Sequence, residues 1–286
     1  MRVSSSKQRW TSNNNRGYRF TSTMTTFRKR HPCSANATVS AVFFDLDNTL
    51  IETRKGDNQT CRKLADELTQ EYGIPEDVSL KITTTYLKLF RKCPDNVIYT
   101  LDVWRTSLWN KALGEKYSYL AEQVYERWLH LRYYYLMLAS DVVSMLQQLR
   151  VKYLLGLITN GPSNAQWEKI RKLSLEQYFD VILVSGDLPW EKPEREIFKN
   201  GCRLLNVKPD SCVMVGDKLE TDILGGIEAG LGGTVWIPIS DKPRLSEEDP
   251  QPDFTIRRIT DLLNILNRGP DAPELEDSSS NASDGS

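Results

Sequence analysis

Two aspartates one residue apart, Asp45 and Asp47, directly follow the short apolar run from Ala41 to Phe44. Such a run of β-favouring residues is typical of a buried strand, and its carboxyl end is where open α/β sheets bind ligands. Two carboxylates held together in a crevice repel each other, so a divalent cation would stabilise the pair. The alternative is an ordinary turn, in which Asp47 and Asn48 only cap the loop.

Two later apolar runs also end in polar residues. The run from Leu154 to Ile158 is followed by Thr159 and Asn160, and the run from Cys212 to Val215 is followed by Gly216 and Asp217. Because parallel strands present their carboxyl ends at one edge of a sheet, these hydroxyl, amide and carboxylate groups are expected to meet there. Taken singly, each could be an ordinary turn residue.

A lysine and a further aspartate complete this set of polar residues. Lys192 precedes Pro193, and a proline suits the first position of a helix, which would place the lysine just before the helix N-terminus. Asp222 follows Asp217 by five residues. A surface lysine and a helix-face aspartate are the ordinary alternatives. The combination of all these residues is more specific than any one of them.

The secondary-structure elements that must position these residues can be inferred from the spacing of apolar residues, which differs between two parts of the chain. Between Thr53 and Ser140 apolar residues recur at helical spacing, which predicts helices with a shared core and hence a helical cap inserted after the first strand. The aromatic residues there, including Trp104, Trp109 and Tyr133, favour packing over a ligand site. From Asp141 onward helices and strands alternate. The fold class predicted is therefore α/β, a doubly wound parallel sheet with an inserted helical cap.

The expected strands and helices of the alternating part, with the helices of the insertion, can be given by residue. The strands are expected at 41–44, 154–158, 181–184, 212–215, 233–237 and 254–256. The helical stripes lie within 61–72, 78–89 and 120–138, and further helices are expected at 142–149, 167–173, from Pro193 to 205, after Asp222, and up to 266.

The polar motifs together resemble the four motifs of the haloacid dehalogenase superfamily, in order and with suitable spacing. They are residues 45–49, 159–160, 192–193 and 216–222. From about residue 40 to 266 the chain is most similar to the N-acylneuraminate-9-phosphatase family within it. The closer match is carried by residues 41–51, 105–109, 216–226, 229–230 and 234–237. The resemblance implies a haloacid-dehalogenase-like core and a phosphatase activity.

The resemblance also implies a role for each aspartate. Asp45 would be the nucleophile that forms an aspartyl-phosphate, and Asp47 the acid and base that protonates the leaving alkoxide and later deprotonates water. Mg²⁺ would be held by Asp45, the main-chain carbonyl of Asp47 and Asp217. Asp222 is expected to contact the metal-binding residues and not the metal itself.

The phosphate-binding groups implied are the side chains of Thr159, Asn160 and Lys192 together with the main-chain amides of Leu46 and Asp47. The substrate implied is a phosphorylated sugar acid, N-acylneuraminate 9-phosphate.

A cap arginine and one unusual lysine bear on that substrate. Arg105 would bind its carboxylate, or would instead pair with a neighbouring acid such as Asp102. Lys218 stands where the resembled phosphatases usually have a small residue, which puts the substrate range in question.

Three alternatives to this function stay open. The chain could act on another sugar phosphate or a nucleotide. A dehalogenase of the same fold needs no second acid, so Asp47 and Thr49 speak against it. A silent binding module would have lost one of the four key residues, and Asp45, Asp47, Lys192 and Asp217 are all present.

The charge distribution divides the 286-residue chain into a body and two termini. Residues 1–40 carry eight basic residues and no acid, and the tail from Asp271 carries five acids and no base, whereas the whole chain has a net charge of −1. The body is therefore net acidic, which argues against a nucleic-acid surface. The predicted organisation is a disordered basic leader at 1–39, a core at 40–53 and 141–268, a cap at 54–140, and a disordered acidic tail at 269–286.

Composition narrows the compartment and the chemistry further. No run of about 18 apolar residues is present, so no membrane span is expected. The five scattered cysteines suggest neither disulfides nor zinc. The two histidines, His31 and His130, disfavour a histidine-based site. A cytoplasmic location is expected, although the Arg- and Ser-rich leader also resembles a mitochondrial transit peptide. The sequence leaves the oligomeric state open.

Overall fold

A computed structural model describes residues 39–92, 100–240 and 243–267. The expectations for the acidic tail, and for the basic leader up to residue 38, lie outside these described residues. The predicted division into core and cap at residues 54 and 140 stays a prediction.

Six parallel strands form one sheet, at the positions predicted to within one or two residues. They are β1 Ala41–Phe44, β2 Leu154–Thr159, β3 Val181–Val184, β4 Cys212–Gly216, β5 Gly233–Trp236 and β6 Phe254–Thr255. Their order across the sheet is β3-β2-β1-β4-β5-β6. The sheet therefore grows outward in both directions from β1 and β4, which is a doubly wound topology, and the predicted fold class is confirmed.

The point where the strand order reverses lies between β1 and β4. In open α/β sheets the crevice for a ligand forms at this point, outside the carboxyl ends of the strands. Asp45 follows β1, and Asp217 follows β4. The topology thus brings these two carboxylates together although 171 intervening residues separate them in sequence.

Nine helices accompany the strands in the described residues. They are α1 Thr53–Tyr72, α2 Glu76–Phe90, α3 Leu101–Tyr117, α4 Ala121–Tyr135, α5 Ser140–Leu149, α6 Ser163–Lys172, α7 Arg195–Leu205, α8 Leu224–Glu228 and α9 Leu262–Asn267. None of them is long and apolar enough to cross a membrane.

The starts of α6 and α7 differ from the prediction, because α6 begins at Ser163, before the expected 167, and α7 begins at Arg195 and not at Pro193. Pro193 does not open α7, because Lys192 and Pro193 lie in a turn closed by a hydrogen bond from the Glu194 amide to the Glu191 carbonyl at 2.7 Å, and the Lys192–Pro193 peptide is cis. The predicted helix after Asp222 is α8, which begins at Leu224. A π-helical turn, Leu219–Ile223, contains this aspartate and leads into α8.

The sheet has a buried core on each face, as strand alternation requires. Val42 and Phe44 of β1 pack on one face with residues of α5, α6 and α9. Ala41 and Phe43 point to the opposite face and pack with residues of α7. Because both faces of β1 are covered, the strand is apolar throughout, and its first polar side chain is that of Asp45, just past the strand end.

The helices between β1 and α5 have a third core, rich in aromatic rings. Trp109 is fully buried and stacks on Tyr86 with ring centroids 3.7 Å apart. Trp128 packs edge-on against the same tyrosine, and Trp104 contacts the cluster from its margin. The aromatic residues of this insertion thus serve packing, as expected for aromatic side chains at helical spacing. This helical insertion is consistent with a cap.

Candidate active site

Lys192 lies at the centre of the polar cluster formed by the strand ends. Its side chain is 1% exposed, and its Nζ lies 2.5 Å from Asp45 Oδ1 and 2.7 Å from Asp222 Oδ1. It also donates to the Ile158 carbonyl at 2.8 Å. One buried ammonium therefore neutralises part of the charge of two aspartates, one directly after β1 and the other in the π-helical turn after β4.

The charges in this cluster are strongly coupled. Burial alone would lower the pKa of Lys192, but Asp222 and Asp45 outweigh it and raise this pKa, so the ammonium stays charged. Burial raises the pKa of Asp45 to about 6, against the attraction of Lys192, and repulsion by Asp222 and Asp47 adds to the rise. The Asp45 carboxylate is thus short of positive charge.

The Asp217 carboxylate lacks compensating positive charge more clearly than Asp45 does. Its side chain is 6% exposed, and neither carboxylate oxygen has a hydrogen-bond partner within the described residues. Burial raises its pKa to about 7, and repulsion by Asp45 and then Asp222 contributes. The Trp236 indole donates to the Asp217 main-chain carbonyl at 2.9 Å and so fixes the backbone.

These carboxylates fit a divalent cation. Asp45, Asp217 and Asp222 can each offer one oxygen, and the three atoms lie within 4.8 Å of one another. Unpaired buried carboxylate oxygens are the hard ligands that Mg²⁺ prefers. Asp222 was expected only as a supporting residue. In the structure its Oδ2 accepts from the Lys218 amide at 3.0 Å, while its Oδ1 faces Lys192.

The carboxylate of Asp47 faces a different cation. Both of its oxygens contact Lys169 Nζ, at 2.7 and 2.5 Å. It also accepts from Thr53 Oγ1 at 2.6 Å and from Gln166 Nε2 at 3.1 Å. Burial would raise the pKa of Asp47, but Lys169 and these hydrogen bonds outweigh it and hold that pKa well below its usual range.

The turn after β1 combines both interpretations of the sequence. Asn48 has a left-handed φ of 64°, and its Oδ1 accepts from the Arg54 amide at 2.9 Å, so Asn48 does cap the first turn of α1. The Asp47 carboxylate takes no part in such capping. The Leu46 side chain is fully buried, so only its main chain can face a ligand.

The two residues after β2 have separate surroundings. Thr159 Oγ1 is buried without a partner among the described residues, so its hydroxyl is available to a phosphate oxygen. The Asn160 amide instead bonds the main chain of Lys192 in both directions, donating to its carbonyl at 2.8 Å and accepting from its amide at 2.9 Å. Asn160 thereby fixes the loop that carries the central lysine. Its binding to phosphate stays a prediction.

The structure places Arg105 away from this cluster, between the cap and α6. It is 1% exposed, and its Nη1 lies 2.6 Å from Oε2 of Glu168. The expected alternative partner, Asp102, accepts instead from the Tyr125 hydroxyl. That alternative was wrong, because Glu168 on α6 lies within ion-pair distance of the guanidinium while Asp102 accepts from Tyr125.

Two cavities border the site. The larger, about 870 Å³, lies between the helical insertion and α6 and is lined by Trp167 and Glu168 but by none of the carboxylates at the strand ends. The smaller, about 420 Å³, includes Asp217 and is lined by Arg54, Lys218 and Arg244. We take the smaller one as the entrance, because Asp217 of the carboxylate cluster lines it. Its rim carries three basic residues against Glu220, so it is net basic and suits an anionic substrate.

Three partners of Asp47 were not recognised in the sequence: Thr53, Gln166 and Lys169. The last two lie three residues apart on α6 and so share a face of that helix. The helix follows the Thr159 strand end, so a glutamine and a lysine on one face were a usable signal. What the sequence did not show is that this face turns toward β1.

Comparisons with known proteins agree with this geometry. Residues 39–230 match the haloacid dehalogenase-like hydrolase family. The N-acylneuraminate-9-phosphatase of Homo sapiens is 39% identical over 80% of this chain and 94% of its own length. A glyceraldehyde 3-phosphate phosphatase of Pyrococcus furiosus is 31% identical over the same shares. The magnesium-bound structure of the HAD-hydrolase YfnB from Bacillus subtilis is 25% identical, covers 80% of this chain and 99% of its own, and has a TM-score of 0.55.

The chain therefore belongs to the haloacid dehalogenase-like hydrolases. Within that family it is a phosphatase, a phosphoric monoester hydrolase similar to the N-acylneuraminate-9-phosphatases.

The unpaired carboxylate of Asp217 gives a stability test of the cluster. Because its pKa of about 7 lies above the ordinary 3.8, protonation of Asp217 stabilises the fold at low pH, and this contribution is lost as pH rises through about 7. At about pH 8 without metal, Asp217→Asn should raise the free energy of unfolding by about 1–3 kcal/mol, because it removes like-charge repulsion. Thermal or urea unfolding measures this difference, which should shrink toward about pH 5.

Magnesium supplies the second arm of that test. Added Mg²⁺ should stabilise the wild-type protein and not Asp217→Asn, because a ligand stabilises only the state that binds it. Asp66→Asn, an exposed change on α1, is the matched control and should behave as wild type. An Asp217→Asn protein that is less stable at high pH, or still responds to Mg²⁺, would contradict the role of this cluster.

Proposed function

We propose that this phosphatase is magnesium-dependent and hydrolyses N-acylneuraminate 9-phosphate to N-acylneuraminate and phosphate. The observation that carries the chemistry is the buried cluster of Asp45, Asp217 and Asp222 around Lys192, with oxygens that lack partners. The substrate is supported by the similarity to N-acylneuraminate-9-phosphatases.

The first half of the reaction uses Asp45 as the nucleophile. One carboxylate oxygen attacks phosphorus, and the bond between phosphorus and the ester oxygen breaks, which gives an aspartyl-phosphate and a free alcohol. Lys192 offsets the negative charge of both Asp45 and the phosphate, and the Thr159 hydroxyl donates to a phosphate oxygen. Mg²⁺, held by Asp45, Asp217 and the main-chain carbonyl of Asp47, would supply the remaining positive charge.

The second half uses Asp47. Its carboxylate, ionised beside Lys169, takes a proton from water, and the water oxygen attacks phosphorus to release phosphate and regenerate Asp45. In the first half the same carboxyl group carries the proton that the leaving alkoxide receives. That step requires only one of the two oxygen contacts with Lys169 to open, so that this oxygen can carry the proton while the other stays paired.

The charge distribution supports an acidic sugar phosphate. The basic rim of Arg54, Lys218 and Arg244 attracts an anion to the entrance. N-acylneuraminate 9-phosphate carries a carboxylate at one end and the phosphate at the other. In this proposal the substrate carboxylate replaces Glu168 as the partner of Arg105 when the cap closes. A phosphorylated sugar is then the only partner invoked, and the reaction belongs to sialic acid biosynthesis. The cytoplasm is the expected compartment, with mitochondria as the alternative.

A second candidate substrate is glyceraldehyde 3-phosphate, because phosphatases named for it are also similar to this chain. It has no carboxylate, so it would leave Arg105 with Glu168.

A substrate panel with the purified full chain and Mg²⁺ tests the proposal. The value of kcat/KM for N-acylneuraminate 9-phosphate should exceed that for glyceraldehyde 3-phosphate, a neutral hexose phosphate and a mononucleotide by about tenfold or more, because each lacks the sugar-acid carboxylate. Removing Mg²⁺ with a chelator should abolish all these activities. A preference for glyceraldehyde 3-phosphate would favour the second candidate, and activity that survives chelation would contradict metal dependence.

The role of Arg105 has its own test. Arg105→Met keeps an apolar side chain between Phe90 and Trp128 but removes the charge. It should lower kcat/KM for N-acylneuraminate 9-phosphate by about 10- to 1000-fold, the worth of a charge-assisted pair, and change kcat/KM for glyceraldehyde 3-phosphate by less than about threefold. Steady-state kinetics on both substrates measures this.

Glu168→Gln is the matched control. It removes the acid that competes for Arg105, so it should leave kcat/KM for the acidic substrate unchanged or raise it. If Arg105 only ties the cap to α6, the two variants will instead show similar losses on both substrates, and the assignment of Arg105 to the substrate carboxylate will be wrong.

A further inference from the structure

Each of the two aspartates in the turn after β1 pairs with its own buried lysine. Lys192 forms an ion pair with Asp45, and Lys169 contacts both oxygens of Asp47. These lysines come from different elements, the turn before α7 and the middle of α6. The two aspartates are one residue apart in sequence, yet their carboxylates face separate cations.

The ion pair between Lys169 and Asp47 is largely buried and does not lie on the protein surface. The Lys169 side chain is 8% exposed, and that of Asp47 is 26% exposed. The next residue, Ile170, is fully buried in the core on one face of the sheet, so α6 cannot easily rotate or withdraw. A lysine held in this way stays within reach of Asp47 without the entropy loss of an exposed pair.

Gln166 and Thr53 fix the orientation that the ion pair alone would leave free. Gln166 donates through Nε2 to Asp47 at 3.1 Å and to the Asn160 carbonyl at 2.7 Å, so it links the turns after β1 and β2. Thr53, at the start of α1, donates to the other Asp47 oxygen at 2.6 Å. Donors on three sides set the plane of the carboxylate.

An Asp47 carboxylate without these partners would be drawn elsewhere. The same turn carries Asp45, and the nearby Lys192 and any bound cation would attract a free carboxylate. A carboxylate bound to the metal could not exchange protons with a leaving group. Holding Asp47 apart from the cluster of Asp45, Asp217 and Asp222 therefore preserves it for acid–base work.

We propose that Lys169, assisted by Gln166, is a positioning residue that keeps the Asp47 carboxylate out of the metal cluster and directed at the leaving-group oxygen. This inference rests on the proposed role of Asp47 as acid and base. It does not depend on which sugar phosphate is the substrate.

The test compares leaving groups. Lys169→Met removes the ammonium and keeps the length of the side chain, Lys169→Arg keeps the positive charge, and Lys172→Met is the control, an exposed lysine on the same helix. With an alkyl phosphate that the wild type hydrolyses, Lys169→Met should lower kcat by about 100-fold or more, whereas kcat for nitrophenyl phosphate should fall by less than about tenfold, because a phenolate needs little protonation.

The conservative variant and the control give the expected contrasts. Lys169→Arg should recover at least about a third of the lost log-scale activity on the alkyl phosphate, because it still offers Asp47 a cation. Lys172→Met should match wild type on both substrates. Equal losses on both substrates in Lys169→Met would overturn the proposal, because they would show a general structural defect.

A double-mutant cycle with Asp47 sharpens the test. If Lys169 acts through Asp47, then in an Asp47→Asn background Lys169→Met should change kcat by less than about threefold. Independent losses that multiply would contradict the proposal. If Lys169→Met does not fold, as judged by its thermal transition, Gln166→Leu carries the same comparison of leaving groups, with the same direction expected.

Failure of this inference can be told from failure of the proposed function. A wild-type enzyme that hydrolyses no alkyl phosphate in the presence of Mg²⁺ contradicts the proposed function. An active wild type with uniform losses in the Lys169 variants contradicts only the positioning role.

Discussion

Mutual repulsion among three buried carboxylates is the constraint on which the site depends. Ligand oxygens of Asp45, Asp217 and Asp222 approach within 4.8 Å of one another, Lys192 pairs with Asp45 and Asp222, and neither carboxylate oxygen of Asp217 has a hydrogen-bond partner within the described part of the chain. Buried charges that are not paired are costly. The protein tolerates them because β1 and β4, buried on both faces, hold the strand ends rigidly side by side. Because the three carboxylates repel one another when no ligand is bound, the site favours the binding of a cation, and with it of a phosphate.

The same repulsion explains why the Asp47 carboxylate is held apart from the other three carboxylates. A fourth carboxylate in the cluster would add repulsion and could not serve as an acid and base. Lys169 draws it toward α6, and the next residue back along that helix, Glu168, pairs with Arg105 of the cap. One helix thus contacts both Asp47 and, through Arg105, the helical insertion. The insertion, which has its own aromatic core, is thereby tied to the helix that also holds Asp47.

Much of the fold and of the site could be predicted from the sequence, because a buried strand and the polar residues at its end are neighbours in the chain. Buried strands are apolar runs, and the polar residues that end them mark the edge where ligands bind, so Asp45, Thr159 and Asp217 were recognisable. The contacts of Asp47 with Lys169, and of Arg105 with Glu168, join residues far apart in the chain and depend on which face of α6 turns inward. Local patterns do not specify that rotation. The start of α7 was misplaced at Pro193 for a related reason, since the hydrogen bond of a turn overrides the preference of a single residue.

Trapping the covalent intermediate tests the central claim most directly. The protein is mixed with a phosphorylated substrate and Mg²⁺, quenched in acid during turnover, and digested, and the peptides are analysed by mass spectrometry after reduction of the acyl phosphate with borohydride. The account predicts homoserine in place of Asp45, the residue that borohydride leaves when it reduces the aspartyl phosphate and releases phosphate, and no such product in Asp45→Asn or without Mg²⁺. Turnover with no homoserine at any quench time, or with the reduced residue at another position, would contradict it.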